Sequence, residues 1–129
     1  MRSPLSIRRS AAALIVASTL AGAPAIAQNV RVLVQSSPIA GFRYHDAPKI
    51  WDELASGDAL ELVHEPTNPH DKNAVRVEWR GRMLGYVPRK ENAAIAWALS
   101  RGERLSARVS RLRDAPNPRD RIEFEIFAD

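Results

Sequence analysis

The chain contains no cysteine, so it can form neither a disulfide nor a thiolate zinc site. Its core has to hold by packing and hydrogen bonding alone. The familiar catalytic signatures are missing as well. No glycine-rich loop is built to cradle a phosphate, no Gly-x-Ser-x-Gly elbow presents a nucleophile, and no two histidines stand four residues apart. Acidic residues such as Asp46, Asp52, Glu53, Glu61 and Glu65 are numerous, but nothing in their spacing marks a catalytic pair. There is no internal repeat, and no apolar run beyond residue 27 is long enough to span a bilayer. We therefore expect no enzyme activity, no metal and no cofactor.

Excess charge is lacking too, once the N-terminus is set apart. Arg2, Arg8 and Arg9 precede a small and apolar stretch from Ala11 to Ala25, and Ala25-Ile26-Ala27 supplies a small-x-small cleavage pattern. This is the layout of a secretory signal peptide over residues 1–27, with cleavage before Gln28 and a single domain over 28–129. Ser18, Thr19, Gly22 and Pro24 make the run a poor permanent anchor. The expectation is an exported, periplasmic or secreted monomer with no membrane insertion after cleavage. The formal net charge of +4 includes the three signal arginines, so the remaining chain carries +1. A strongly basic protein is excluded. A basic face is not, because residues 101–121 hold seven arginines, among them Arg111, Arg113 and Arg119, against Glu103, Asp114 and Asp120.

Alternation of apolar and polar residues predicts a first strand at Val30–Val34 ending at Ser36-Ser37-Pro38, and a second extended stretch over Ile39–His45. Asp46 is placed to cap a short helix with Pro48 in its first turn and Ile50, Trp51 and Leu54 on one face. Leu60, Leu62 and His64 form the next strand. Val75, Val77 and Trp79 line one face of another, which turns at Arg80-Gly81 and returns through Met83, Leu84 and Val87. Asn92–Ser100 reads as a second helix closed by Gly102. Leu105, Ala107 and Val109 begin a long strand, and Ile122, Phe124 and Ile126 line the last. This order lacks βαβ alternation. It predicts an α+β, mostly β fold: a small antiparallel barrel or curled sheet of six to seven strands with two short helices.

The densest cluster of polar chemistry is Glu65-Pro66-Thr67-Asn68-Pro69-His70-Asp71-Lys72-Asn73, which runs straight into the Val75 strand. Turn formers at that point place Asn68, His70, Asp71, Lys72 and Asn73 at a sheet rim. Asn68 and Asp71 can bond backbone amides within the turn, and Asn73 can cap the strand that follows. Asp71 also suits a ligand hydroxyl, and Lys72 a phosphate. Arg43-Tyr44 adds a cation and a ring on which a base could stack. His45, His64 and His70 have no spacing typical of metal ligands.

Three segments, Ile39–Tyr44, Leu60–Val77 and Leu84-Gly85-Tyr86-Val87-Pro88-Arg89, resemble the HIRAN domain in order and spacing over residues 32 to 127. The Glu-Pro-x-Asn-Pro-x-Asp-x-Asn-Ala-Val run is the most specific part. The resemblance implies an OB-like β-barrel with short helices and a non-enzymatic module that binds the 3′ end of single-stranded DNA. It implies that Arg43 contacts phosphate while Tyr44 stacks a terminal base, and that Asp71 accepts from the free 3′-hydroxyl. Asn68, His70, Lys72 and Asn73 would complete the end-binding loop, with Tyr86 and Arg89 beside the strand's backbone path. His70 stands where DNA-binding members carry a tyrosine, Tyr86 replaces a histidine, and a further stacking phenylalanine late in the domain has no counterpart. The alternative is an exported module whose same rim binds an envelope protein, peptide or glycan.

Overall fold

A computed structural model describes residues 30–129; the signal peptide expected over residues 1–27 lies outside the described residues. Six strands form one antiparallel sheet in the order β1-β6-β5-β2-β3-β4. They are β1 (Val32–Pro38), β2 (Ala59–His64), β3 (Val75–Trp79), β4 (Arg82–Tyr86), β5 (Leu105–Leu112) and β6 (Ile122–Ala128). Two short helices, α1 (Ala47–Ile50) and α2 (Ala93–Ser100), and several 3-10 turns complete the chain. The expected mostly-β architecture is thus present, as an open sheet that curls.

Three single-residue bulges cause the curl. Val34, Ser110 and Leu84 are each extra residues in their ladders, at the register shifts of β1 with β6, β5 with β6, and β3 with β4. A bulge bends its strand and raises the local twist. The two edges come close enough for one bridge outside the ladders. Ala40 N–H donates to the Tyr86 carbonyl and Tyr86 N–H to the Ala40 carbonyl, both at 2.9 Å. Gly85 permits that approach. A Cβ there would lie 2.3 Å from the Ala40 carbonyl oxygen and 2.6 Å from Ile39 Cγ2, at a φ of +155°.

The core lies inside the curl. Val75, Val77 and Trp79 of β3 and Ile122, Phe124 and Ile126 of β6 are buried, following the alternation of their strands, and Leu84, Ile39, Ile50 and Ile95 are buried with them. Arg80 (φ 47°) and Gly81 (φ 77°) form the expected tight hairpin between β3 and β4. The α2 helix ends where Gly102, at φ 79°, donates to Leu99 and Glu103 N–H returns to Ala98, a glycine-terminated helix end.

Two expectations need correction. Ile39–His45 is not a strand: beyond the Ala40 bridge it winds into a 3-10 turn over Phe42–Tyr44, entered through Gly41 in a left-handed conformation. Phe42 points into the core and stacks edge-on against Trp51 at 5.7 Å, and this burial wins over extension. Asp46 gives no side-chain cap to α1; its carboxylate faces Arg82 at 3.5 Å instead. The start of β1 is exposed on both sides, at Val32 and Val34 and at Leu33 between them.

Candidate functional site

The loop between β2 and β3 is held by side chains rather than by regular structure. Asn68 Oδ1 accepts from the backbone N–H groups of His70 (2.9 Å) and Asp71 (3.2 Å). Its amide donates to Glu65 at 3.0 Å. Glu65 also accepts from the Tyr86 hydroxyl and from the Arg76 guanidinium, both at 2.9 Å. One carboxylate therefore ties the loop to β3 and β4. Burial pushes the Glu65 carboxyl up, but the bonds from Asn68, Tyr86 and Arg76 outweigh it and hold the group below its usual range. Burial and the same carboxylate raise the Tyr86 phenol above its ordinary value.

Asp71 is the second anchor. Its Oδ1 accepts from the Asn73 N–H at 2.9 Å and its Oδ2 from the buried Asn92 amide at 2.8 Å. The Arg89 guanidinium lies 3.9 Å from Oδ2. The Asn92 bond, then the Asn73 amide, then Arg89 lower the Asp71 pKa against the opposing effect of burial. An ionised carboxylate has about four acceptor positions, so two donors do not saturate it. The Asp71 side chain stays 18% exposed.

Around these anchors the surface is open. One depression of about 290 Å³ is lined by Ala40, His70, Asp71, Tyr86, Arg89 and Asn92. A second, of about 520 Å³, takes in Pro69, Lys72 and Asn73 beside the same Asp71 and Arg89. A third, of about 420 Å³, lies between Arg43-Tyr44, Arg89-Lys90 and Asn117–Arg119. Ala40 and Arg89 border both the first and the third, so the openings join into one groove across the bridged sheet edges. Tyr44 is 77% exposed with the Arg43 guanidinium 5.8 Å from its ring.

Of the nine residues singled out in the sequence, all reach this groove's rim, but in different capacities. Asn68 is spent on the loop, as a turn-forming asparagine should be. Tyr86 places its hydroxyl on Glu65 and its ring beside His45 at 5.6 Å. Lys72 is exposed, and its carbonyl accepts from His64 Nε2 at 2.9 Å. Asn73 contributes its amide to Asp71 and lines the second depression. His64 and His70 do not converge, and no cluster of three metal-ligating side chains occurs among the described residues. Sequence reasoning missed Glu65 as the hub, Asn92 as the partner of Asp71, and the Asn117–Arg119 wall. Asn92 reads locally as a helix cap, and no short-range pattern points its side chain across to Asp71.

The HIRAN domain model matches residues 32–129. The chain belongs to the HIRAN domain family. A crystal structure of a protein from Lactobacillus plantarum aligns with a TM-score of 0.68 at 28% identity, covering 77% of this chain and 95% of that one. The crystal structure of the HIRAN domain of human HLTF aligns with a TM-score of 0.55 at 19% identity, covering 79% and 83%. At that identity the likeness to HLTF concerns the fold alone. No curated protein matches the chain. For this HIRAN domain the groove lies where the β1–α1 connection, the β2–β3 loop and the β5–β6 hairpin meet.

Proposed function

We propose that this HIRAN domain is a non-enzymatic binding module for single-stranded nucleic acid and that it recognises the 3′-hydroxyl end. The observation that carries the reading is the groove's arrangement. An exposed tyrosine ring and a guanidinium with no ion pair among the described residues stand at one end, and a rigid carboxylate with unused acceptor capacity stands at the other. A terminal base stacks on Tyr44, a contact worth ~1–3 kcal/mol. Arg43 and Arg89 hold phosphates through charge-assisted hydrogen bonds. Asp71 accepts the terminal hydroxyl's hydrogen at a lone pair left free by Asn73 and Asn92. The Asn92 and Asn68 bonds fix the loop before the ligand arrives, which reduces the ordering cost of binding.

The test is fluorescence anisotropy of labelled single strands ending in a 3′-hydroxyl or a 3′-phosphate. A terminal phosphate brings negative charge against the Asp71 carboxylate and should bind markedly more weakly. Equal affinity for the two ends would remove the proposed role of Asp71. Export is a separate proposal, supported by the residue pattern of 1–27. N-terminal sequencing of the protein from its host should begin at Gln28, and an intact Met1 would refute it.

A further inference from the structure

We infer that the β5–β6 hairpin carries an arginine rail, Arg119–Arg113–Arg111, that continues the groove and holds the phosphates of nucleotides internal to the bound end. The inference rests on the nucleic-acid reading above and extends it to the length of strand engaged. Arg119 lines the depression beside Tyr44 and also a fourth one, of about 230 Å³, shared with Arg111, Arg113, Pro38, Asp120, Ile122 and Glu123. The two openings therefore meet at Arg119.

The bulge in β5 puts the other two arginines on the outside. Ala107 and Val109 face the core, and strict alternation would send Arg111 and Arg113 inward after them. Ser110 is the extra residue in the ladder, so Leu112 takes the inner side and both arginines turn out. Arg119 is fixed as well. Its backbone N–H donates to Asn117 Oδ1 at 3.1 Å, Arg113 N–H closes the hairpin on the Arg121 carbonyl at 2.9 Å, and Arg121 Nε ties the loop to the Ala115 carbonyl at 2.8 Å.

These guanidiniums are uncommitted. Arg111 stands opposite Glu123 in the ladder, yet among the described residues neither it nor Arg43, Arg113 or Arg119 forms an ion pair. Asp120 and Glu123 temper the patch without neutralising it. The occupant that fits a line of free guanidiniums leading away from a stacking platform is the sugar–phosphate backbone of one strand.

The test compares oligothymidylates with free 3′-hydroxyls, a dinucleotide against an octanucleotide, for the full domain and for Arg111→Ala/Arg113→Ala. The domain should bind the octanucleotide more tightly. In the variant the ratio of octanucleotide to dinucleotide affinity should fall about tenfold at ~0.1 M salt, since each phosphate contact on a single strand releases ~0.7 counterion. Arg111→Lys/Arg113→Lys should restore most of that ratio. A wild-type ratio near one, or an unaltered ratio in the alanine variant, would overturn the rail while leaving end binding in place. A ratio that falls as expected, with no preference for the 3′-hydroxyl, would support the rail and remove the end-binding reading. Absence of binding to both oligonucleotides would overturn both.

Discussion

Gly85→Ala tests whether the closure between the sheet edges organises the site. The added Cβ would sit 2.3 Å from the Ala40 oxygen and 2.6 Å from Ile39 Cγ2, where comfortable contact needs about 3.5 Å. Neither obstacle is the flexible end of a long side chain, so Ala40 has to retreat by about an ångström. That movement breaks two bridge hydrogen bonds, worth ~0.5–1.5 kcal/mol each. If the bridge resists, the alanine is instead held at a backbone conformation that costs ~1–3 kcal/mol. Either way the loss is about 1–3 kcal/mol, a substantial part of the ~5–15 kcal/mol typical of a domain.

Urea denaturation measures the stability, and hydrogen exchange at the Ala40 and Tyr86 amides locates the damage. Because Ala40 is the wall shared by the depressions beside Tyr44 and Asp71, oligonucleotide affinity should fall in parallel. Gly81→Ala is the control. Gly81 also has a positive φ, of 77°, but nothing lies within 4 Å of the added carbon. Its cost is backbone strain alone, about 1–2 kcal/mol. If Gly85→Ala costs no more than Gly81→Ala and both amides stay protected, the close approach is not what shapes the groove.

Two further outcomes follow from the site. Tyr44→Ala should weaken single-strand binding by ~1–3 kcal/mol and leave the denaturation midpoint close to wild type, because the ring is 77% exposed; a matching loss of stability would show that the ring supports the fold instead. Glu65 and Asp71 both have carboxyls held below their ordinary values of 4.5 and 3.8, so the unfolded chain takes up protons first as pH falls. Their stabilisation is complete above about pH 4.5 and is lost as pH drops through the lower folded-state values. Glu65→Gln should cost about 2 kcal/mol at neutral pH by removing a charge-assisted bond to Arg76, and it should flatten the acid limb of a stability-against-pH curve. An unchanged acid limb would mean that Glu65 is not the hub.

What was legible in the sequence was local. The β3 alternation, the Arg80-Gly81 turn, the end of α2 at Gly102 and the polar β2–β3 loop each depend on residues a few positions apart, and all of them occur. The Ile39–His45 segment differs because its conformation answers to side-chain packing and to a contact far along the chain. Phe42 finds Trp51, Ala40 finds Tyr86, and the demand for a strand disappears. The same reason hides the bond from Asn92 to Asp71, twenty-one residues apart. It also hides the Asn117–Arg119 wall, which only sheet curvature brings opposite Tyr44.

A near-neutral domain is not a poor candidate for a polyanionic ligand if its charges are unevenly committed. Arg76 is shared between Glu65 and Glu78, Arg82 faces Asp46, Arg108 faces Glu125, Arg101 meets Glu103, and Arg31 approaches Asp129. Glu91, beside the groove, accepts from Ser37 and Gln35. The ion pairs engage acidic groups with cations outside the groove, while Glu91 keeps its charge and is held in place by neutral donors. At physiological salt a charge is felt over about 8 Å, so a phosphate seated between Arg43 and Arg119 responds to those two groups and scarcely to the total. Such a surface gives little long-range steering, and association should be slower than for a uniformly basic domain. Selectivity then has to come from short-range features: a ring for the base, guanidiniums for the backbone and one rigid carboxylate for the end.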